Sequence, residues 1–179
     1  MKPKSILPQN AALLQKRFPL VLQRIIDAGD RMPQDFFYED NDSGSTLMLQ
    51  RGEYSFPVYG KYKKDNLNKR WFSSLVLHPE SLYAITGFGD GSHLSYFFNH
   101  STSGTNFLAA EKDPTLLRET MARFDLTELL SNERFILGTG EIDDAFFTDI
   151  QGAALSGVSD VNSVVSVSYT HLTLPTTPY

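Results

Sequence analysis

Leu82-Tyr-Ala-Ile-Thr-Gly-Phe-Gly-Asp-Gly91 decides the fold, because a short apolar run there ends directly in three alternating glycines, Gly87, Gly89 and Gly91. An apolar run of that length bounded by glycine predicts a buried strand. Ser92 to Asn99 then predicts a helix with Leu94, Phe97 and Phe98 on one side. Thr105-Asn-Phe-Leu-Ala-Ala110 predicts a second strand, ending at Glu111, and Asp113-Pro114 supplies a cap and a first-position proline for a helix to about Arg123. Asp125-Leu-Thr-Glu128 reads as a capping box for a further short helix. Arg134-Phe-Ile-Leu137 predicts a third strand, followed by Gly138 and Gly140, and Asp143 or Asp144 begins a helix through Phe146, Phe147 and Ile150. Strands alternating with helices imply a parallel sheet covered on its faces, here the first half of a Rossmann-like, doubly wound unit.

Upstream the texture differs. Asn10 reads as the cap of a helix with Leu14, Phe18, Val21, Leu22, Ile25 and Ile26 at helical spacing. Pro19 either kinks that helix or opens a second one, and Gly29 stops it. Three β-like runs follow, around Phe36-Phe-Tyr38, Thr46-Leu-Met-Leu49 and Tyr54 to Tyr59, separated by Asn41-Asp-Ser-Gly44 and Arg51-Gly-Glu53. They predict a small antiparallel meander with Pro57 marking an edge. A polar, basic stretch from Lys61 to Arg70 leads to a short helix carrying Trp71 and Phe72. The fold class is α/β, divided into a helix plus β-rich region over 1–75 and an incomplete Rossmann-like unit over 76–165.

Bulk properties narrow the chemistry. Of 179 residues, 41% are apolar, enough for an ordinary globular core. A net charge of −5 gives no overall attraction to nucleic acid or anionic lipid, so neither is an expected partner. The absence of cysteine removes disulfides and thiolate–metal sites. No apolar run approaches the roughly 20 residues that span a bilayer. The first residues, Met-Lys-Pro-Lys-Ser-Ile-Leu-Pro, lack the apolar core of a signal peptide, so a cytoplasmic location is expected.

The end of the chain stands apart. Residues 167–176 read Val-Ser-Tyr-Thr-His-Leu-Thr-Leu-Pro-Thr, which resembles the translation of a transposon mosaic end and adapter used in sequencing libraries. Residues 166–179 are therefore expected to be an adapter-derived, non-native tail, with a Thr-rich strand or linker as the alternative. On that expectation Tyr169 and His171 carry no function, and the chain is the front of a longer α/β protein.

The glycine turn is the leading candidate site. Gly87, Gly89 and Gly91 follow a strand and open a helix, where a sharp turn lets a ligand approach main-chain N–H groups. Glu111, at the end of the second strand, is placed to accept ribose hydroxyls. Glu141 and Asp143, after the third strand, are placed to reach an adenine amino group. The spacing is G-x-G-x-G rather than the dinucleotide pattern, and Asp90 sets a negative charge in the loop. A pyrophosphate is repelled there, whereas a neutral or cationic nucleotide-type ligand such as S-adenosylmethionine suits it better. The alternative is a purely structural turn, with Glu111 a solvated strand end.

Other motifs are weaker. There is no P-loop and no G-x-S-x-G elbow. His78, His93 and His100 lack metal-ligand spacing, and no metal is expected. His93 is near enough to the loop to touch a ligand, but a surface or capping histidine is the simpler reading. Asp143-Asp144 reads as a helix cap more simply than as a metal site. The mixed basic and aromatic stretch from Tyr59 to Lys64 reads as a solvated loop rather than a single-strand binding patch.

In order and spacing, Leu14-Gln-Lys-Arg-Phe-Pro19, a β-rich stretch, Val58-Tyr-Gly60 and Leu82 through Leu94 resemble the N-terminal region of the motility-associated factor (Maf) glycosyltransferases. Ala110-Glu-Lys-Asp-Pro-Thr-Leu-Leu-Arg118 and Phe124-Asp-Leu-Thr-Glu-Leu-Leu-Ser-Asn-Glu-Arg-Phe135 continue the likeness over most of residues 10–150. The resemblance implies a cytoplasmic enzyme that attaches nonulosonic sugars from a CMP-activated donor to Ser or Thr of flagellin. It places the catalytic residues in a central domain, related to archaeal hydroxymethylpterin diphosphokinases, beyond these residues. Asp90 departs from the apolar residue usual between the second and third glycines of that family.

Overall fold

A computed structural model describes residues 5–42, 44–59, 64–78, 81–141 and 164–168. The helix expected from Asp143 or Asp144 lies outside these residues.

The N-terminal segment forms two helices, α1 (Pro8–Arg17) and α2 (Pro19–Asp27). Pro19 opens the second at its first turn, where a missing N–H costs nothing. Leu14, Phe18, Val21 and Ile25 are buried as their spacing predicts, but Ile26 is 59% exposed. Asn10 does not cap α1. The helix starts two residues earlier, at Pro8, and Asn10 is fully buried within it. Its amide donates to the Met121 and Phe124 carbonyls (2.8 and 2.7 Å), and its oxygen accepts the Leu126 N–H (3.0 Å). One side chain thus satisfies three main-chain groups of a distant loop.

The meander is as expected: β1 (Phe36–Asn41), β2 (Gly44–Arg51) and β3 (Tyr54–Pro57) form an antiparallel sheet in the order β1-β2-β3. Phe36 pairs with Leu49 and Met48 with Pro57, which ends the edge strand. Helix α3 (Lys64–Ser73) follows and buries Trp71.

The second half alternates β4 (Leu82–Thr86), α4 (Ser92–His100), β5 (Asn106–Glu111), α5 (Pro114–Met121), α6 (Thr127–Ser131) and β6 (Phe135–Thr139), and ends with β7 (Val164–Ser168). These strands form a parallel sheet in the order β6-β5-β4-β7. That is the 3-2-1-4 order of a doubly wound unit, with its reversal between β4 and β7. The first three strands are those read from the sequence, and β7 adds a fourth. Part of β7, 166–168, falls in the stretch expected to be a tail.

The caps are local. The Asp113 carboxylate accepts the Thr115 N–H at 2.8 Å. Asp125 was expected to cap α6, but Leu126 holds that position, and the Asp125 carboxylate instead accepts the Thr127 N–H at 3.0 Å. One apolar cluster joins both halves, from Leu14 and Phe18 through Tyr38, Leu47 and Trp71 to Tyr83, Phe97, Phe107 and Phe135. Arg17 seals the seam by donating to the carbonyls of Leu130, Asn132 and Phe135. No helix among the described residues is long and apolar enough to cross a membrane.

Candidate functional site

The glycine turn sits at the C-terminal end of β4, beside the reversal of strand order, where doubly wound sheets bind ligands. Gly87, Gly89 and Gly91 all have positive φ (88°, 53° and 79°). Only glycine adopts that conformation without strain.

The turn is closed by its own neighbours. Glu111 is buried, 7% exposed, and its carboxylate accepts the Phe88 N–H at 2.8 Å and the Asp113 N–H at 3.1 Å. Burial pushes its pKa up, and the N–H groups of Phe88, Asp113 and Gly89 pull it back. Glu111 is thus not a solvated strand end. Its oxygens already hold the amides that a ligand at this loop would use, which favours a structural role.

Other main-chain groups of the turn are similarly engaged. The Gly87 N–H donates to the Ala110 carbonyl (2.8 Å), and the Gly91 N–H to the Phe88 carbonyl (2.9 Å). The Gly89 carbonyl accepts the Thr120 hydroxyl at 2.7 Å, with the Tyr38 hydroxyl 3.3 Å away. With the Thr120 proton on Gly89, the Tyr38 hydroxyl donates to Thr120 Oγ1 at 2.8 Å, so β1 and α5 hold the turn jointly.

His93 was expected at the surface or as a cap, and it is fully buried instead. Its Nε2 lies 3.1 Å from the Gly87 carbonyl, and its ring meets Trp71 edge-on at 5.4 Å. Burial pushes its pKa down to about 4, against the opposing pull of Asp90. The imidazole is therefore neutral at pH 7 and serves as a packing and hydrogen-bonding group.

The charge expected from Asp90 is neutralised. Asp90 is buried, its carboxylate accepts the Ser92 N–H at 3.0 Å, and Lys64 forms an ion pair with it. Lys64 opens α3, inside the stretch 61–70 that was expected to precede the helix, and nothing local in the sequence ties it to Asp90. Its ammonium also lies over the rings of Tyr59 and Phe124, at 5.5 and 5.8 Å. Glu141 stands at the surface, paired with Lys112 at 3.0 Å. Asp143 lies outside the described residues. The structure therefore brings Gly87, Gly89, Gly91 and Glu111 together and leaves Glu141 apart. Among the described residues no three His, Asp or Glu side chains are grouped to hold a metal ion.

Gly91 tests this packing. A Cβ there would lie 3.1 Å from Leu126 Cδ2 and 3.2 Å from Phe88 Cε1, at a φ of +79°. Gly91→Ala is expected to cost about 2 kcal/mol, combining left-handed strain with crowding. A urea melt that left its midpoint unchanged would show that the turn is free to move.

Comparison with family models and with curated proteins finds no match. Among solved structures the chain is similar to the glycosyltransferase described as "Structure of MAf glycosyltransferase from Magnetospirillum magneticum AMB-1", at 13% identity and a TM-score of 0.47. The likeness covers 87% of this chain and 31% of that one, so the chain spans about a third of that protein's length.

Proposed function

We propose that this chain is the scaffold and acceptor-recognition part of a protein glycosyltransferase of the motility-associated factor type. The whole enzyme would move a nonulosonic sugar from a CMP-activated donor to Ser or Thr of flagellin in the cytoplasm. The ordered resemblance over residues 10–150 supports the family. The scaffold role rests on one observation: the Glu111 carboxylate is buried and occupied by the turn's own Phe88 N–H and by Asp113. An S-adenosylmethionine-dependent methyltransferase requires that acid to face a ribose, so the same observation weighs against it.

On this reading the transfer chemistry belongs to residues outside 1–165. The 179-residue chain, mixed with flagellin and a CMP-activated nonulosonic sugar, is expected to retain flagellin on a pull-down while mass spectrometry finds no added sugar. Sugar transfer by this chain alone would overturn the assignment. So would saturable S-adenosylmethionine binding lost in Glu111→Ala.

A further inference from the structure

An open groove of about 370 Å³ lies at the C-terminal edge of the parallel sheet, between α3, one face of α4 from Ser92 to His100 and the segment 124–126. It lies on the outer side of the glycine turn, reached through Asp90, Gly91 and Ser92. Unlike the turn, it presents polar groups that the fold leaves unused. The side chains of Asp65, Ser95 and Asn99 line it and have no hydrogen-bond or ion-pair partner among the described residues.

The charge of the lining selects the ligand. Among the described residues that line the groove, Asp65, Asp90 and Asp125 face a single ammonium, Lys64, and Lys64 is committed to Asp90. The Thr127 hydroxyl and amide hold the Asp125 carboxyl below its ordinary range, so it is ionised at neutral pH. The balance of these described side chains is negative. Phosphates and carboxylated sugars are disfavoured, and cationic or hydroxyl-bearing groups are favoured. Phe124 and the Tyr96 ring, stacked on His100 at 3.9 Å, give the groove apolar walls against which a lysine stem or a threonine methyl can lie. Because the groove is open, an extended chain can pass through it.

We propose that this groove binds a short, extended segment of the acceptor polypeptide that carries hydroxyl side chains and a net positive charge. The inference rests on the acceptor-recognition part of the function proposed above.

The test is a titration of the full chain followed by amide NMR, using a Ser/Thr peptide flanked by lysines, the same peptide flanked by glutamates, and CMP. Saturable shifts at Ser92, Ser95 and Asn99 are expected with the lysine peptide alone. Asp65→Lys combined with Asn99→Lys, both on exposed side chains, is expected to weaken binding about tenfold with an unchanged circular dichroism spectrum. Asp65→Asn should give a smaller loss in the same direction. Equal binding of both peptides, no binding, CMP shifting these amides, or a free hexose replacing the peptide there would each overturn the proposal. Binding is read without any transfer step, so the two readings fail separately. If the groove fails but flagellin is still retained, the acceptor is held elsewhere on the chain. If the groove binds but a longer form of the protein transfers no sugar, the glycosyltransferase reading fails and the groove stands.

Discussion

Glu111→Ala is expected to lower stability by about 2–4 kcal/mol, because it strips the acceptor from the buried Phe88 N–H and from the part-buried Asp113 N–H at once. Phe88 and Asp113 lose the partners they hold at 2.8 and 3.1 Å, and Phe88 is fully buried, away from replacement water. A urea melt should show a lower midpoint with an unchanged slope, the signature of lost stability in an otherwise similar fold. Glu111→Gln keeps the shape but turns an amide N–H₂ towards an N–H, so about 2 kcal/mol is expected.

The dependence on pH has a definite sign. Burial raises the Glu111 pKa above its ordinary 4.5, so the folded state holds the proton more tightly than the unfolded one. Its contribution is complete below the unfolded value and falls away as pH rises through the folded value. The gap between wild type and Glu111→Ala should therefore be widest in acid and narrow as pH rises across that window. A gap that widened with rising pH would mean that the carboxylate is stabilised chiefly by its hydrogen bonds. A small, pH-independent effect would mean that the turn does not depend on Glu111, and the ligand-binding reading of the loop would return.

Asn10→Ala is the second large effect expected, at about 3 kcal/mol. It separates two accounts of the same residue. As a helix cap, Asn10 would be worth about 1 kcal/mol, and aspartate would replace it well. As the buried bridge seen here, it satisfies the carbonyls of Met121 and Phe124 and the N–H of Leu126. Aspartate accepts but cannot donate, so Asn10→Asp should be as damaging as alanine or worse, with a buried charge set against two carbonyl oxygens. Thermal or urea melts of the two variants decide between them, and a tolerated Asn10→Asp would refute the bridging role.

The two residues show where sequence reading stops. Asn10 precedes an apolar stripe, and the local pattern for a cap is the same whether its side chain turns back on its own helix or crosses to another. Glu111 sits at the right distance from the glycine turn for a ribose acceptor, and the same distance suits a carboxylate folded back onto the turn's amides. His93 reads as a surface or capping residue in the sequence, yet Trp71, 22 positions earlier, comes to lie against it. Thr120 and Tyr38 carried no motif at all, although together they hold the Gly89 carbonyl from two different elements.

Period and punctuation along the chain determined the α/β class, the three-stranded meander, the parallel strands β4, β5 and β6, and the glycine turn between β4 and α4. These follow from interactions within a few residues: apolar spacing, proline and glycine backbone limits, and side chains that reach their own main chain. Tertiary structure alone decided the fourth strand beside β4, the closing of the turn by Glu111, the pairing of Lys64 with Asp90, and the groove beside them. Each of these depends on which distant groups burial brings together, and on the cost of leaving a buried polar group unpaired. That cost is set in three dimensions and leaves no local pattern in the sequence.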